Sequence, residues 1–136
     1  MRSEIRLSRS DIGFREYFSV LNCLHEGMLG MGRFVNAFES LLSSYFNSNV
    51  VCVSSGTSAL HLALESLNLP PSSHVLVPSL TYVATFQSIT AAGLIPLPVD
   101  IDPDTGNMSQ MTLEKVFSDK CKAVVPVLYA GDSKHY

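Results

Sequence analysis

The stretch that most constrains this chain is Val50 to Leu67, VVCVSSGTSALHLALESL. It opens with Val50-Val51-Cys52-Val53, a β-branched run suited to a buried strand. A turn of small polar residues follows, Ser54-Ser55-Gly56-Thr57-Ser58. Then Ala59, Leu60, Ala63, Leu64 and Leu67 fall at helical spacing. Strand, small turn and helix together present free backbone N–H groups and the positive end of a helix dipole to an anion. Gly56 lets a ligand approach the backbone, and the Ser and Thr hydroxyls add donors. The stretch reads as a phosphate cradle or, more simply, as a helix capped by Ser or Thr.

From residue 50 onward, apolar runs alternate with helical patterns. Strands are expected at 50–53, His74–Pro78, Leu94–Val99 and Ala123–Leu128. Helices are expected from about Tyr82 to Ala92 and around Met111 to Phe117. Pro96 and Pro98 mark the third strand as an edge or as irregularly paired. Continuous apolar strands separated by helices imply an α/β fold, a mainly parallel sheet with helices on both faces. Ligands bind such sheets beyond the carboxyl ends of the strands. Four loops, Ser54–Thr57, Pro78–Tyr82, Asp100–Asp104 and Tyr129–Gly131, should therefore face one crevice.

Residues 1–48 read as a separate helical segment ahead of residues 49–136. Ser10-Asp11 offers an N-cap to a helix carrying Phe14, Tyr17, Phe18, Leu21 and Leu24 and stopping near Gly27. Gly27-Met28-Leu29-Gly30-Met31-Gly32 is an interhelical loop; no strand precedes it, so the dinucleotide-loop context is missing. Phe34, Phe38, Leu41, Leu42 and Tyr45 form the apolar stripe of a second helix, a pattern expected in a core.

Several function classes drop out. The 136 residues carry a net charge of -3 and no Lys/Arg run, against a nucleic-acid footprint. No apolar run approaches a membrane span, and no apolar region follows the charged start, so a cytoplasmic protein without a signal peptide is expected. Cys23, Cys52 and Cys121 are widely spaced and read as buried reduced thiols. Asp100, Asp102 and Asp104 alternate as in a calcium loop, but the glycine comes late and Met111 stands where the bidentate acid belongs. No metal site is expected. Gly56-Thr57-Ser58-Ala59-Leu60 imitates a nucleophile elbow, but Leu60 replaces its second glycine, so a serine hydrolase ranks low.

Five segments taken together carry a more specific signal. They are Gly27–Gly32 with Phe38-Glu39, Ser55–Leu64, Val77–Thr85, Val99–Thr105 and Pro126–Gly131. In this order and spacing the chain resembles the N-terminal part of the DegT/DnrJ/EryC1/StrS family of pyridoxal-phosphate (PLP) aminotransferases acting on nucleotide-linked keto-sugars. The resemblance implies an aspartate-aminotransferase-like (fold type I) large domain with PLP as cofactor. It also implies a PLP phosphate held by Gly56, Thr57 and Ser58, with Tyr82 stacked on the pyridine ring and Thr85 one turn further on the same side. Leu128 stands where the family commonly has histidine.

The resemblance further implies a nucleotide-diphosphate keto-sugar as substrate, glutamate or glutamine as amino donor, and a homodimer with sites between subunits. The family's Schiff-base lysine and its pyridine-binding acid both fall downstream of the position matching Tyr136. None of Lys115, Lys120, Lys122 and Lys134 sits in the lysine's setting. The chain is thus expected to be a first portion of such an enzyme, inactive alone and without a catalytic residue of its own. The alternative is a non-catalytic binding or dimerising module, or a remnant, of the same family.

Overall fold

The computed structural model describes residues 9–131. These form α1 (Phe14–Glu26), α2 (Arg33–Phe46), α3 (Gly56–Ser66), β1 (His74–Pro78), α4 (Val83–Ala91), β2 (Ile95–Val99), α5 (Gln110–Glu114) and β3 (Cys121–Val124). A short turn at Tyr129–Gly131 ends the described chain. The chain divides into two compact units, Met1–Cys52 and Val53–Tyr136.

In the first unit Gly13 is the N-cap of α1, two residues beyond the expected Ser10-Asp11 cap. The Gly13 N–H donates to the Glu16 carboxylate at 2.7 Å, so the acid reaching back from the third helical position does the capping. Gly27, left-handed at φ 68°, ends α1 as expected, and Asn47 ends α2 in the same way. Glu26 pairs with Arg33 across the glycine loop. That loop, with Cys23, Phe34 and Val35, lines a cavity of about 220 Å³. Neither helix buries a residue. The Phe34–Tyr45 stripe read as core is instead largely exposed, because no element among the described residues covers it.

The expected strand at Val50–Val53 does not form a ladder, and Val51 is 76% exposed. No strand among the described residues lies beside it. Side chains of α2 replace the ladder: Ser43 Oγ accepts from the Val50 N–H at 3.1 Å, and Glu39 Oε1 from the Cys52 N–H at 2.7 Å. Cys52, read as buried in that strand, is therefore half-buried, as are Cys23 and Cys121; all three thiols are free.

The second unit holds a three-stranded parallel sheet in the order β2-β1-β3. Side chains alternate across the central strand. Val75 and Val77 pack with Leu64 of α3, Ile89 of α4 and Leu94, whereas Leu76 packs with Val99, Met108, and Leu113 of α5. Helices thus cover both faces, as the α/β reading requires. Val75, Val77 and Ile89 are wholly buried, each contributing about 1.5–3 kcal/mol relative to exposure.

β2 is an edge strand. Its Ile95 N–H donates inward to Ser73 O at 2.9 Å. By alternation, Pro96 and Pro98 then face their missing donors outward, which blunts the free edge. Two boundaries differ from expectation. β3 begins at Cys121, two residues before the expected start, and its pairing with β1 runs as far as the Val125 N–H on Leu76 O. α5 ends at Glu114, and Val116 and Phe117 merely wind back onto Leu113 O. Among the described residues no helix is long and apolar enough to cross a membrane.

Candidate functional site

Connectivity places two helix N-termini at one edge of the sheet. β1 leads into α4 through four residues, Ser79–Tyr82, so α4 starts at the carboxyl end of β1. α3 passes its C-terminal end to the amino end of β1, where Leu64 packs near Val75 and Leu94. Eleven helical residues span about 16 Å, close to the length of a five-residue strand. The N-terminus of α3 therefore also lies toward the carboxyl edge.

Ser55 caps α3. Its Oγ accepts from the Ser58 N–H at 3.1 Å, and the Ser58 hydroxyl lies 3.0 Å from Ser55 Oγ and 3.4 Å from Ser54 Oγ. The Ala59 N–H donates to Ser55 O. Two first-turn donors, the N–H groups of Gly56 and Thr57, are left with no acceptor among the described residues. Nothing lies within 4 Å of where a Gly56 Cβ would stand. Local chemistry explains the arrangement: a serine that caps well, a residue without a side chain at the open first position, and then Ala59 and Leu60 to carry the helix. The result is an open cup with two free amides and the positive end of a helix dipole.

Tyr82 is the N-terminal flanking residue of α4, and it is 78% exposed. It is not a core aromatic. Thr85 is placed differently: it is 5% exposed, and its hydroxyl lies 2.9 Å from that of Thr81. The Thr85 N–H also donates to Tyr82 O. Thr85 thus bonds to the turn that presents the exposed Tyr82.

The remaining loops of this edge follow β2 and β3. Asp102 Oδ1 accepts from the N–H groups of Asp104 and Thr105, at 2.8 and 3.3 Å, forming a closed Asx turn. Among the described residues no three His, Cys, Asp or Glu side chains gather as metal ligands. Asn107, which sequence reasoning passed over, is wholly buried, and its Oδ1 accepts from the Tyr129 N–H at 2.9 Å. Lys120 and Lys122 flank the first residue of β3, at the amino edge, and Lys115 ends α5. No lysine among the described residues stands on the carboxyl edge beside the cup; Lys134 and His135 lie outside the described residues. His61 Nε2 lies 3.2 Å from Glu65 Oε1 within α3, and among the described residues the hydroxyl partners of Ser58 are the two serines alone. No base is positioned for a serine nucleophile among these groups.

Comparison with known proteins decides which family builds this edge. The model of the DegT/DnrJ/EryC1/StrS aminotransferase family matches residues 11–135. The chain belongs to this family. GDP-perosamine synthase of Caulobacter vibrioides is 37% identical over 132 residues, 96% of this chain and 35% of that protein. Among solved structures, Spr1654 of Streptococcus pneumoniae in its PMP form is 37% identical. It superposes with a TM-score of 0.84, covering 93% of this chain and 32% of that one. The E. coli GDP-4-keto-6-deoxy-D-mannose-3-dehydratase with bound hydrated PLP is 28% identical, with a TM-score of 0.78 over 88% of this chain and 33% of that one. The chain spans about a third of the length of these family members.

Proposed function

We propose that this chain supplies the cofactor-phosphate cup of a PLP-dependent aminotransferase of nucleotide-linked keto-sugars. The observation that carries the reading is the open N-terminus of α3, with free Gly56 and Thr57 amides, at the same sheet edge as the exposed Tyr82. The fit is chemical. PLP presents a phosphate that needs N–H donors and a flat pyridine that needs an aromatic face. The names of the relatives, a GDP-perosamine synthase and proteins solved with PLP or PMP, support the same cofactor and substrate class.

Gly56 and Thr57 donate their amides to the phosphate, and the Ser58 and Thr57 hydroxyls supply further donors. Ser55 holds the turn in place from beneath. Tyr82 stacks on the ring, and Thr85 acts through Thr81 to fix the turn that presents it. When bound, PLP serves as an electron sink for the carbon whose amino group is transferred. These residues bind and orient; the amine that carries the covalent link is not among the described lysines. Binding and orienting the cofactor is the role proposed for these residues. The finer parts of the proposal are a nucleotide-diphosphate keto-sugar acceptor, glutamate or glutamine as donor, a homodimer and a cytoplasmic setting. Two modules, 1–48 and 49–136, are proposed to divide the work, the first for association and the second for the cofactor.

The test joins these residues to whatever follows codon 136 in frame. The resulting protein is incubated with PLP, glutamate and a GDP-linked 4-keto-6-deoxy sugar, and the product is weighed by mass spectrometry. The amino sugar is expected; a dehydrated sugar or unchanged substrate contradicts the assignment. In parallel, borohydride treatment of the 136-residue chain with PLP should leave no cofactor fixed to a lysine. A stoichiometric adduct would overturn the division between binding and transfer.

A further inference from the structure

The loops after the two outer strands, β2 and β3, are not neighbours in the sheet, yet one side chain ties them together. Asn107 lies 22 residues before Tyr129, is fully buried, and accepts the Tyr129 N–H at 2.9 Å. Its own position is fixed from its loop. The Asp102 N–H donates to Asn107 O at 2.9 Å, the Gly106 N–H to Asp102 O at 2.8 Å, and the Asn107 N–H to Thr105 Oγ1 at 3.2 Å. Gly106 has φ +71°, and a Cβ there would stand 3.3 Å from the Tyr129 ring. Glycine suits this position: an L side chain would be strained at this φ, and a Cβ would push the Tyr129 ring by a few tenths of an ångström. Beyond Tyr129, Ala130 (φ 53°) and Gly131 (φ 79°) are both left-handed, and the turn closes with the Gly131 N–H on Leu128 O at 3.0 Å.

A non-glycine residue at positive φ costs about 1 kcal/mol or more and persists where the surroundings enforce it. The β1–β3 ladder has ended at Val125, residues 128–131 are exposed, and Tyr129 itself is 48% exposed. A buried amide oxygen that finds a donor in a distant loop fixes that loop at little cost, because leaving the oxygen unpaired would cost about 1–3 kcal/mol.

We propose that Asn107 is a positioning residue: with Gly106 it latches the Tyr129–Gly131 turn, so that the loops after β2 and β3 form one rigid wall of the carboxyl-edge crevice. The inference rests on the proposed cofactor site only for what the wall encloses. The latch itself is a property of Asn107, Gly106 and Tyr129.

The test compares wild type, Asn107→Ala and Asn107→Asp by residue-resolved amide exchange and by PLP titration of the same samples. In Asn107→Ala the Tyr129 amide should exchange at least ~10-fold faster, while Val75 and Val77 in β1 stay within about twofold. Asn107→Asp keeps an acceptor oxygen and should restore the Tyr129 protection. The PLP dissociation constant should rise about 5- to 10-fold in Asn107→Ala and recover with Asp. An unchanged Tyr129 rate in Asn107→Ala overturns the latch. Equal acceleration at Val75 and Val77 also overturns it, as general loss of fold. Freed Tyr129 with unchanged PLP affinity overturns the wall. Wild-type protein that takes no PLP sinks the cofactor reading instead, and the exchange rates then decide the latch alone.

Discussion

Glu39 on α2 accepts the backbone N–H of Cys52 at 2.7 Å, thirteen residues further along the chain. Ser43, one helical turn after Glu39, accepts from Val50 at 3.1 Å, two residues before Cys52. A helical i,i+4 pair thus matches the alternating N–H groups on one edge of an extended segment. Two side chains stand in for a missing strand and hold the backbone that runs into the Ser55 cap. A hydrogen bond to a charged acceptor contributes about 1.5–3 kcal/mol. Glu39→Ala should therefore speed exchange of the Cys52 amide by roughly tenfold or more and raise the reactivity of the half-buried Cys52 thiol toward maleimide. Glu39→Gln should recover most of the protection. Unchanged exchange at Cys52 in the alanine variant would show that the contact holds nothing.

Ser55 tests the cup from below. Replacing this N-cap serine by alanine removes the acceptor for the Ser58 N–H and should cost about 1 kcal/mol, while Ser55→Asp should be near neutral. Urea unfolding measures both. A loss below ~0.3 kcal/mol in Ser55→Ala would mean that water replaces the cap without penalty.

The edge of β2 offers a prediction about association. Pro96 and Pro98 withhold two outward N–H groups from a free edge. Pro96→Thr/Pro98→Thr should keep the inward ladder, carried by Ile95, Leu97 and Val99, and restore the outward one. Concentration-dependent association, read by light scattering, should increase relative to wild type. Equal scattering would indicate that the prolines do not guard the edge.

Glu16 ties α1 to pH. The Gly13 N–H donates to its carboxylate, which holds the Glu16 pKa below the ordinary glutamate range. A carboxylate whose folded pKa is depressed stabilises at pH above its unfolded value. That contribution fades as pH falls through the folded value. A carbon-detected NMR titration should place the Glu16 midpoint below that of the same residue in a disordered peptide. Amide exchange in the first turn of α1 should rise as Glu16 protonates. A midpoint at the peptide value contradicts the reach-back cap.

The second unit was largely legible from residue patterns, and each discrepancy has a physical cause. β1 and β2 are short apolar runs bounded by loops, and the prolines of β2 left an edge or irregular pairing open, of which the edge is what forms. Val50–Val53 carries the same local signal, but a strand needs a partner, and pairing is not written in the segment itself. Helix periodicity located α1 and α2, yet it cannot state what covers an apolar stripe, and Phe38, Leu41 and Tyr45 are exposed. The turn and helix start that form the cup at Gly56 were visible because their geometry is local, although the strand expected ahead of them does not form. The Asn107–Tyr129 bond was not visible, since a link across 22 residues leaves no mark in either loop alone.

The most direct measurement follows the backbone amides of isotopically labelled chain by NMR during titration with PLP and, separately, with pyridoxal, which lacks the phosphate. The cup predicts saturable shifts centred on Gly56, Thr57 and Ser58, a response at the Tyr82 ring, and loss of the Gly56–Ser58 shifts when pyridoxal replaces PLP. Shifts centred elsewhere, or equal shifts at Gly56–Ser58 with both compounds, would contradict a phosphate site at the start of α3.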